Sequence, residues 1–323
     1  MKTIDLHADT LMKLYFNGGE LKENSYHIDI EKLKTGNSFI QTFAIFTLEQ
    51  MINNEKYPCP AKDLDELVKS YQKIFVNEIE KNSEQLQCVK SNADIDELMS
   101  NDKVGALLSL EGAAMFYGDI NKVQEYYDLG MRMMSLTWND VNTCAYPNVP
   151  EENMSKGLTD FGRECIKKMD ELGIIIDVSH LSDQGFWDIY ELTANPFIAS
   201  HSNARTLGPH VRNLTDDMIK ALAERGGVMG MNFCTAFLSE DTDREDMKVQ
   251  DIVNHINYIK NLVGIDYVAL GTDFDGIGGN LEIADFSEMN KLWSALEKEG
   301  YSTEEIEKVA YKNALRVFRQ VLK

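Results

Sequence analysis

Three of the six histidines in this 323-residue chain close apolar runs, and that placement is where chemistry could be done. His7 stands in Asp5-Leu6-His7-Ala8-Asp9, and in an extended chain alternate side chains share a face, so His7, Asp9 and Asp5 point the same way. A neutral imidazole and a carboxylate on one face can converge on one metal ion. A hydrogen-bonded histidine in a turn is the competing reading. His180 closes Ile174-Ile175-Ile176-Asp177-Val178-Ser179-His180, and His201 closes Phe197-Ile198-Ala199-Ser200-His201. Either alone reads as a satisfied core histidine; two Ser-His endings on successive runs are harder to explain that way.

Two carboxylates occupy similar places. Glu111 ends Ala106-Leu107-Leu108-Ser109-Leu110-Glu111. A carboxylate directly after an apolar run must meet a partner or solvent, and its two oxygens can bridge two ions; a polar strand end would explain it too. Asp273 lies in Gly271-Thr272-Asp273-Phe274-Asp275-Gly276. Turn chemistry suits Asp275-Gly276, but Asp273 follows more closely on the buried run before it. Of the remaining histidines, His27 lies in a polar loop and reads as structural. His255 falls inside a helical stretch and reads as solvated or satisfied. His210, in Gly208-Pro209-His210-Val211-Arg212-Asn213, follows His201 closely enough to lie near the same site.

These residues need a scaffold that gathers strand ends. Strand-like runs cover Thr3–Leu6, Phe39–Phe46, Val104–Leu110, Arg132–Leu136, Ile174–Val178, Phe197–Ser200, Val228–Asn232 and Tyr267–Leu270. They are short and nearly continuously apolar, as strands buried on both faces are. Helical spacing fills most gaps, over Ala61–Lys81, Leu158–Leu172, Asp183–Leu192, Thr215–Arg225, Val249–Val263 and Ser287–Glu299. Ser302 with Glu305 predicts a capping box for a last helix running towards Val317. Eight strands alternating with helices predict a (β/α)8 TIM barrel of the metal-dependent hydrolase type, one domain over residues 1–323. A doubly wound open sheet is the alternative; it would favour a Gly-rich phosphate loop after the first strand, where the chain reads His7-Ala8-Asp9-Thr10. In a barrel, the candidate ligands all sit at the C-terminal strand ends, where barrel active sites form. Five ligands exceed the needs of one tetrahedral zinc and suit two ions sharing a carboxylate.

Composition sets outer limits. Lys+Arg is 32 against 53 Asp+Glu, a formal charge of −21. Such a surface disfavours nucleic acid and anionic lipid as partners. The start, Met1-Lys2-Thr3-Ile4-Asp5, shows no signal peptide, and no run is long and apolar enough for a membrane span. Cys59, Cys88, Cys144, Cys165 and Cys234 are odd in number and scattered, so they suggest neither a disulfide framework nor a cysteine zinc site. A cytoplasmic location is the simplest expectation.

Taken together, Asp5-Leu6-His7-Ala8-Asp9, Ser109-Leu110-Glu111-Gly112, Asp177-Val178-Ser179-His180, Ser200-His201-Ser202-Asn203-Ala204, Arg212-Asn213-Leu214 and Gly271-Thr272-Asp273-Phe274-Asp275-Gly276 make the chain resemble the renal (membrane) dipeptidase family of zinc peptidases over nearly its whole length. The resemblance implies a (β/α)8 barrel, two zinc ions, a small dipeptide substrate that can end in a D-residue, and a homodimer. It implies His7 and Asp9 on one ion, His180 and His201 on the other, and Glu111 between them. It places Asp273 as acid/base and Arg212 on the substrate carboxylate. The chain departs from the better-known members after its fourth strand. They carry a substrate-contacting His in a Leu-Thr-His context; here the stretch is Leu136-Thr137-Trp138-Asn139-Asp140. Asn139 is the expected substrate contact there, and Phe237 stands where the family carries a pocket tyrosine. Other two-metal barrel hydrolases, acting on lactones, cyclic amides or phosphoesters, are the nearest rivals. They often use a carboxylated lysine at the fourth strand end, where Met133-Met134-Ser135-Leu136-Thr137 offers none. A non-catalytic barrel binding metal or peptide is the rival from another class.

Overall fold

Uninterrupted apolar runs have no solvent-facing side, so they can settle only in a sheet covered on both faces. The computed structural model, which describes residues 1–47, 52, 59–241 and 244–323, realises this as a closed barrel of eight parallel strands. They are β1 (Thr3–Asp5), β2 (Ser38–Phe46), β3 (Val104–Glu111), β4 (Met131–Ser135), β5 (Ile175–Asp177), β6 (Ile198–Ala199), β7 (Val228–Met231) and β8 (Val268–Leu270). Every residue of β2 and β3 is buried. Each strand pairs with the next, and β8 closes onto β1 through Leu270 and Asp5. A short ninth strand, Leu86–Cys88, pairs with β3 outside this ring.

Helices surround the barrel, and their starts follow capping chemistry. Thr159, Ser182 and Thr215 each accept a backbone N–H with the side-chain oxygen, opening Asp160–Leu172, Asp183–Leu192 and Asp216–Glu224. Gly173, at φ 77°, ends the first of these in a left-handed cap that a side chain would resist. Ser302 and Glu305 form the expected reciprocal box. The final helix is longer than the spacing predicts. After Thr303–Glu307 it passes through a π turn, Lys308–Lys312, and continues over Asn313–Val321. Short helices over Thr10–Asn17, Ile30–Thr35, Asn92–Met99 and Asn121–Asp128 are additional to the predicted set.

One apolar cluster takes a residue from each barrel strand: Ile4, Ile40, Leu107, Met133, Ile175, Ile198, Val228 and Ala269. Val317, Phe318 and Val321 of the last helix pack into the same cluster. Each such aliphatic side chain contributes about 1.5–3 kcal/mol by leaving water. This dense base holds the opposite, polar ends of the strands in register. No helix among the described residues is long and apolar enough to cross a membrane.

Candidate active site

The C-terminal strand ends deliver the candidate ligands to one place. Glu111 is the last residue of β3, and its neighbours in register are Phe46 of β2 and Ser135 of β4. His7 follows β1, His201 follows β6, and His180 and Asp273 sit just beyond β5 and β8. His180 and Asp273 adopt positive φ, 67° and 61°. Ordinary side chains avoid that region, so the turns themselves re-aim these two residues. Backbone pairing then joins the first and last loops: Asp9 N–H donates to Phe274 O and Asp273 N–H to His7 O. Beneath them the buried Asp5 accepts from Thr272 N–H, Thr272 Oγ and Gln41 Nε2.

Glu111 lies at the centre and faces both ways. Its Oε2 is 3.5 Å from His7 Nε2, while its Oε1 is 3.0 Å from His180 Nε2 and 3.3 Å from His201 Nε2. Asp9 Oδ2 is 3.4 Å from His7 Nε2. Two triplets capable of holding a metal therefore share one carboxylate: His7, Asp9 and Glu111, and Glu111, His180 and His201. Asp273 with His7 and His201 makes a third grouping.

Hydrogen bonding tests whether this donor set fits a cation. His180 Nδ1 is 2.9 Å from Asn139 Oδ1, an acceptor, so Nδ1 carries the proton and Nε2 a lone pair. Ser200 Oγ donates to Asp177 Oδ2 at 2.5 Å, so it accepts from His201 Nδ1 at 2.7 Å, and His201 Nε2 also carries a lone pair. The two Nε2 atoms are 3.1 Å apart. Two nitrogen lone pairs and a carboxylate oxygen thus meet without a proton among them, an arrangement that a dication satisfies. On the other side, His7 Nε2 and Asp9 Oδ1 are buried with no hydrogen-bond partner among the described residues. The residues fit metal ions.

The electrostatics agree. Burial drives His180 and His201 well below the ordinary histidine range, with the positive charge of Arg212 adding to it, so both are neutral imidazoles. Burial would also lower His7, but the carboxylates of Glu111 and Asp9 outweigh it and push His7 up to about 10. Burial pushes Glu111 up to about 8 and Asp273 up to about 7, and Asp9 adds to both shifts while His7 opposes them. Crowded acids of this kind call for nearby positive charge.

Asp9, Glu111 and His180 line a cavity of about 580 Å³, in the size range of small-molecule sites. Arg212 lines it, almost fully buried. One of its nitrogens, Nη2, donates to His201 O, while Nε and Nη1 lack a partner among the described residues. Phe237 packs 5.6 Å from the Arg212 guanidinium and 4.6 Å from the His210 ring. His210 also reaches the cavity, and its Nδ1 accepts from Arg212 N–H. Trp138 fills the wall beside β4, with its ring 4.7 Å from Phe46 and 5.9 Å from His180. Asn139 lines the wall too, and its hydrogen bond is to His180.

Sequence reasoning passed over several supporting residues. Asn232 donates from Nδ2 to Asp273 Oδ2 at 2.9 Å. Asp177 and Ser200 orient His201. The available signal was the same in each case: a polar residue at the end of a buried strand. His27 is half-buried and exchanges hydrogen bonds with Asp275, bracing the loop that carries Asp273. His255 is fully satisfied, accepting from Ala204 N–H and donating to Leu238 O.

Comparison with known proteins agrees with this geometry. The membrane dipeptidase family, peptidase family M19, matches the chain over residues 1–323. An uncharacterised protein from the pqqA 5′ region of Klebsiella pneumoniae is 37% identical over 243 residues, which is 73% of this chain and 89% of that protein. The dipeptidase tcpJ of Claviceps purpurea is 25% identical over 305 residues, 93% of this chain and 70% of that protein. Among solved structures, a metallo peptidase from Rhodobacter sphaeroides, liganded with a phosphinate mimic of the dipeptide L-Ala-D-Ala, superposes with a TM-score of 0.87. The two are 23% identical, and 99% of each chain is covered.

Proposed function

The chain belongs to the membrane dipeptidase family, and from that premise we propose that it is a binuclear zinc dipeptidase whose ions are held by His7, Asp9, Glu111, His180 and His201. Its activity is that of a metallo-dipeptidase. The observation that carries the finer reading is the double-facing Glu111, with one oxygen turned to His7 and the other to His180 and His201. His7 and Asp9 would hold one zinc, His180 and His201 the other, and Glu111 both. Bound there, the metals supply Lewis-acid polarisation of the scissile carbonyl and a water activated near neutral pH.

The chain's own residues do the rest. Arg212 is fixed by its contact with His201 O and by Phe237, and it turns unpartnered N–H groups to the cavity. Its planar fork suits the C-terminal carboxylate of a dipeptide. Burying that arginine without an anion is costly, so the contact selects substrates with a free C-terminus. Asp273, held by Asn232, is the group placed to accept a proton on the cavity side and return it to the leaving amine. Met12, Phe46, Trp138, Val149 and Ile277 give the walls an apolar character, which favours uncharged side chains. A dipeptide ending in a D-residue fits the reading, as the Rhodobacter sphaeroides protein binds a mimic of one.

Metal analysis followed by hydrolysis of a library of L-Xaa-L-Xaa and L-Xaa-D-Xaa dipeptides tests the proposal. The expected result is two zinc ions per chain and cleavage of dipeptides with apolar side chains. A single equivalent at saturation, or turnover of lactones or phosphotriesters in place of dipeptides, would overturn it. A homodimer is part of the same proposal, and light scattering after size exclusion checks it. So is a cytoplasmic location, which the five free cysteines support.

A further inference from the structure

We propose that Asn139 is a positioning residue for the metal centre: it fixes the tautomer and direction of His180 and so sets the zinc affinity of the His180–His201 half of the site. The proposal rests on the zinc reading above. It also replaces the substrate-binding role that the sequence suggests for Asn139.

Strand geometry does not aim His180. The residue lies beyond β5 at φ 67°, so its ring direction depends on side-chain neighbours. Two are present. Trp138 packs on the ring with centroids 5.9 Å apart, and Phe46 supports the Trp138 indole from behind at 4.7 Å. Asn139 Oδ1 takes the Nδ1 proton at 2.9 Å.

That proton has one other place to go. Glu111 Oε1 lies 3.0 Å from His180 Nε2 and would accept an N–H there readily. The Nε2–H tautomer would tie up the nitrogen and a carboxylate oxygen that the metal needs. A carbonyl acceptor at Nδ1 opposes it. His201 has its own safeguard in the Ser200–Asp177 relay, which is buried. His180 has the half-buried Asn139 on the cavity wall. The segment after β4 therefore serves the metal in this chain, in the stretch where better-known relatives place a substrate-contacting histidine.

Removing such an outer partner typically costs about 10- to 100-fold in metal affinity. The experiment titrates metal-stripped wild type, Asn139→Ala and Asn139→Asp with zinc against a chromophoric chelator. In Asn139→Ala, one of two zinc equivalents should weaken about 10- to 100-fold while the other keeps wild-type affinity. Asn139→Asp retains an acceptor oxygen and should restore the weakened equivalent to within a few-fold of wild type. Wild-type affinity for both ions in Asn139→Ala overturns the proposal, as does a loss that Asn139→Asp fails to rescue. A raised KM with zinc affinity intact would return Asn139 to substrate recognition. Failure of wild type to bind zinc at all would sink the underlying reading; a normal Asn139→Ala titration sinks this inference alone.

Discussion

In the proposed function, Asp273 and Arg212 divide the work on the substrate between a proton and a charge, and each makes a separable prediction. Asp273→Asn keeps the shape and the Asn232 contact but cannot take a proton. Its kcat should fall about 10²- to 10⁴-fold, with zinc content unchanged by metal analysis. Loss of zinc would instead make Asp273 a ligand, the role its grouping with His7 and His201 offers. Arg212→Lys keeps the charge and loses the fork. It should lower kcat/KM about 10- to 100-fold through KM, the value of a charged hydrogen bond, and should narrow the preference for a dipeptide over its C-terminal amide. Equal preference in wild type and variant would remove the carboxylate role. His255 acts on stability rather than catalysis. Burial lowers its pKa to about 4, against 6.5 when unfolded. Between those values the unfolded chain binds more protons than the folded one. Stability is therefore complete above pH 6.5 and falls as pH drops through that window, by about 3 kcal/mol in all. In urea melts at pH 7 and pH 5, wild type should lose about 2 kcal/mol more than His255→Gln; equal losses would refute the assignment.

Turns, more than strands, decide whether the candidate ligands meet. Gly276 closes the loop after β8 so tightly that a Cβ there would come 2.1 Å from Asp9 Oδ2 and 2.6 Å from Asp273 Oδ1. Gly276→Ala should therefore cut zinc affinity by at least about 10-fold while the far-ultraviolet spectrum stays unchanged; wild-type affinity would show that the loop gives way freely. This tightness explains what could be read in advance. The strands were legible because buried parallel strands are apolar throughout, and the clustering of the five candidate ligands because their types are costly there without a partner. Caps at Thr159, Thr215 and Ser302 were legible from local chemistry. The strand ends shifted for a physical reason. After β6, Ser200 N–H donates to Asp177 Oδ1, so a side chain replaces the ladder where the sequence continues to look strand-like. The helix Asn121–Asp128 buries two side chains, Val123 and Tyr126, which is too faint a period to stand out. Asn232 and the Ser200–Asp177 relay escaped notice because their partners lie 41 and 23 residues away, beyond local spacing.

The whole molecule carries a net charge of −21 and gathers three carboxylates at the mouth of its barrel. That concentration has a stability consequence that metal should reverse. Burial makes the ionised form of Glu111 unfavourable, pushing its pKa up to about 8, and Asp9 and Asp273 reinforce the shift. Folding the metal-stripped chain at neutral pH thus opposes a carboxylate that ionises freely when unfolded. Ligands that bind only the folded state stabilise it, by about 2.7 kcal/mol at a concentration 100 times Kd. For a chain of this size that corresponds to a rise of several degrees in Tm. Stripping the metal with a chelator should lower Tm by the same amount, and zinc should restore it. Glu111→Gln is the decisive variant. It keeps the shape and removes the titrating oxygen, so in calorimetry without metal it should melt no lower than stripped wild type. With zinc added its Tm should barely move, because neither triplet then has its shared carboxylate. A wild-type zinc response in Glu111→Gln would show that the ions do not depend on Glu111. A stripped Glu111→Gln melting well below stripped wild type would show that the carboxylate supports the fold without metal, through His7 and His180.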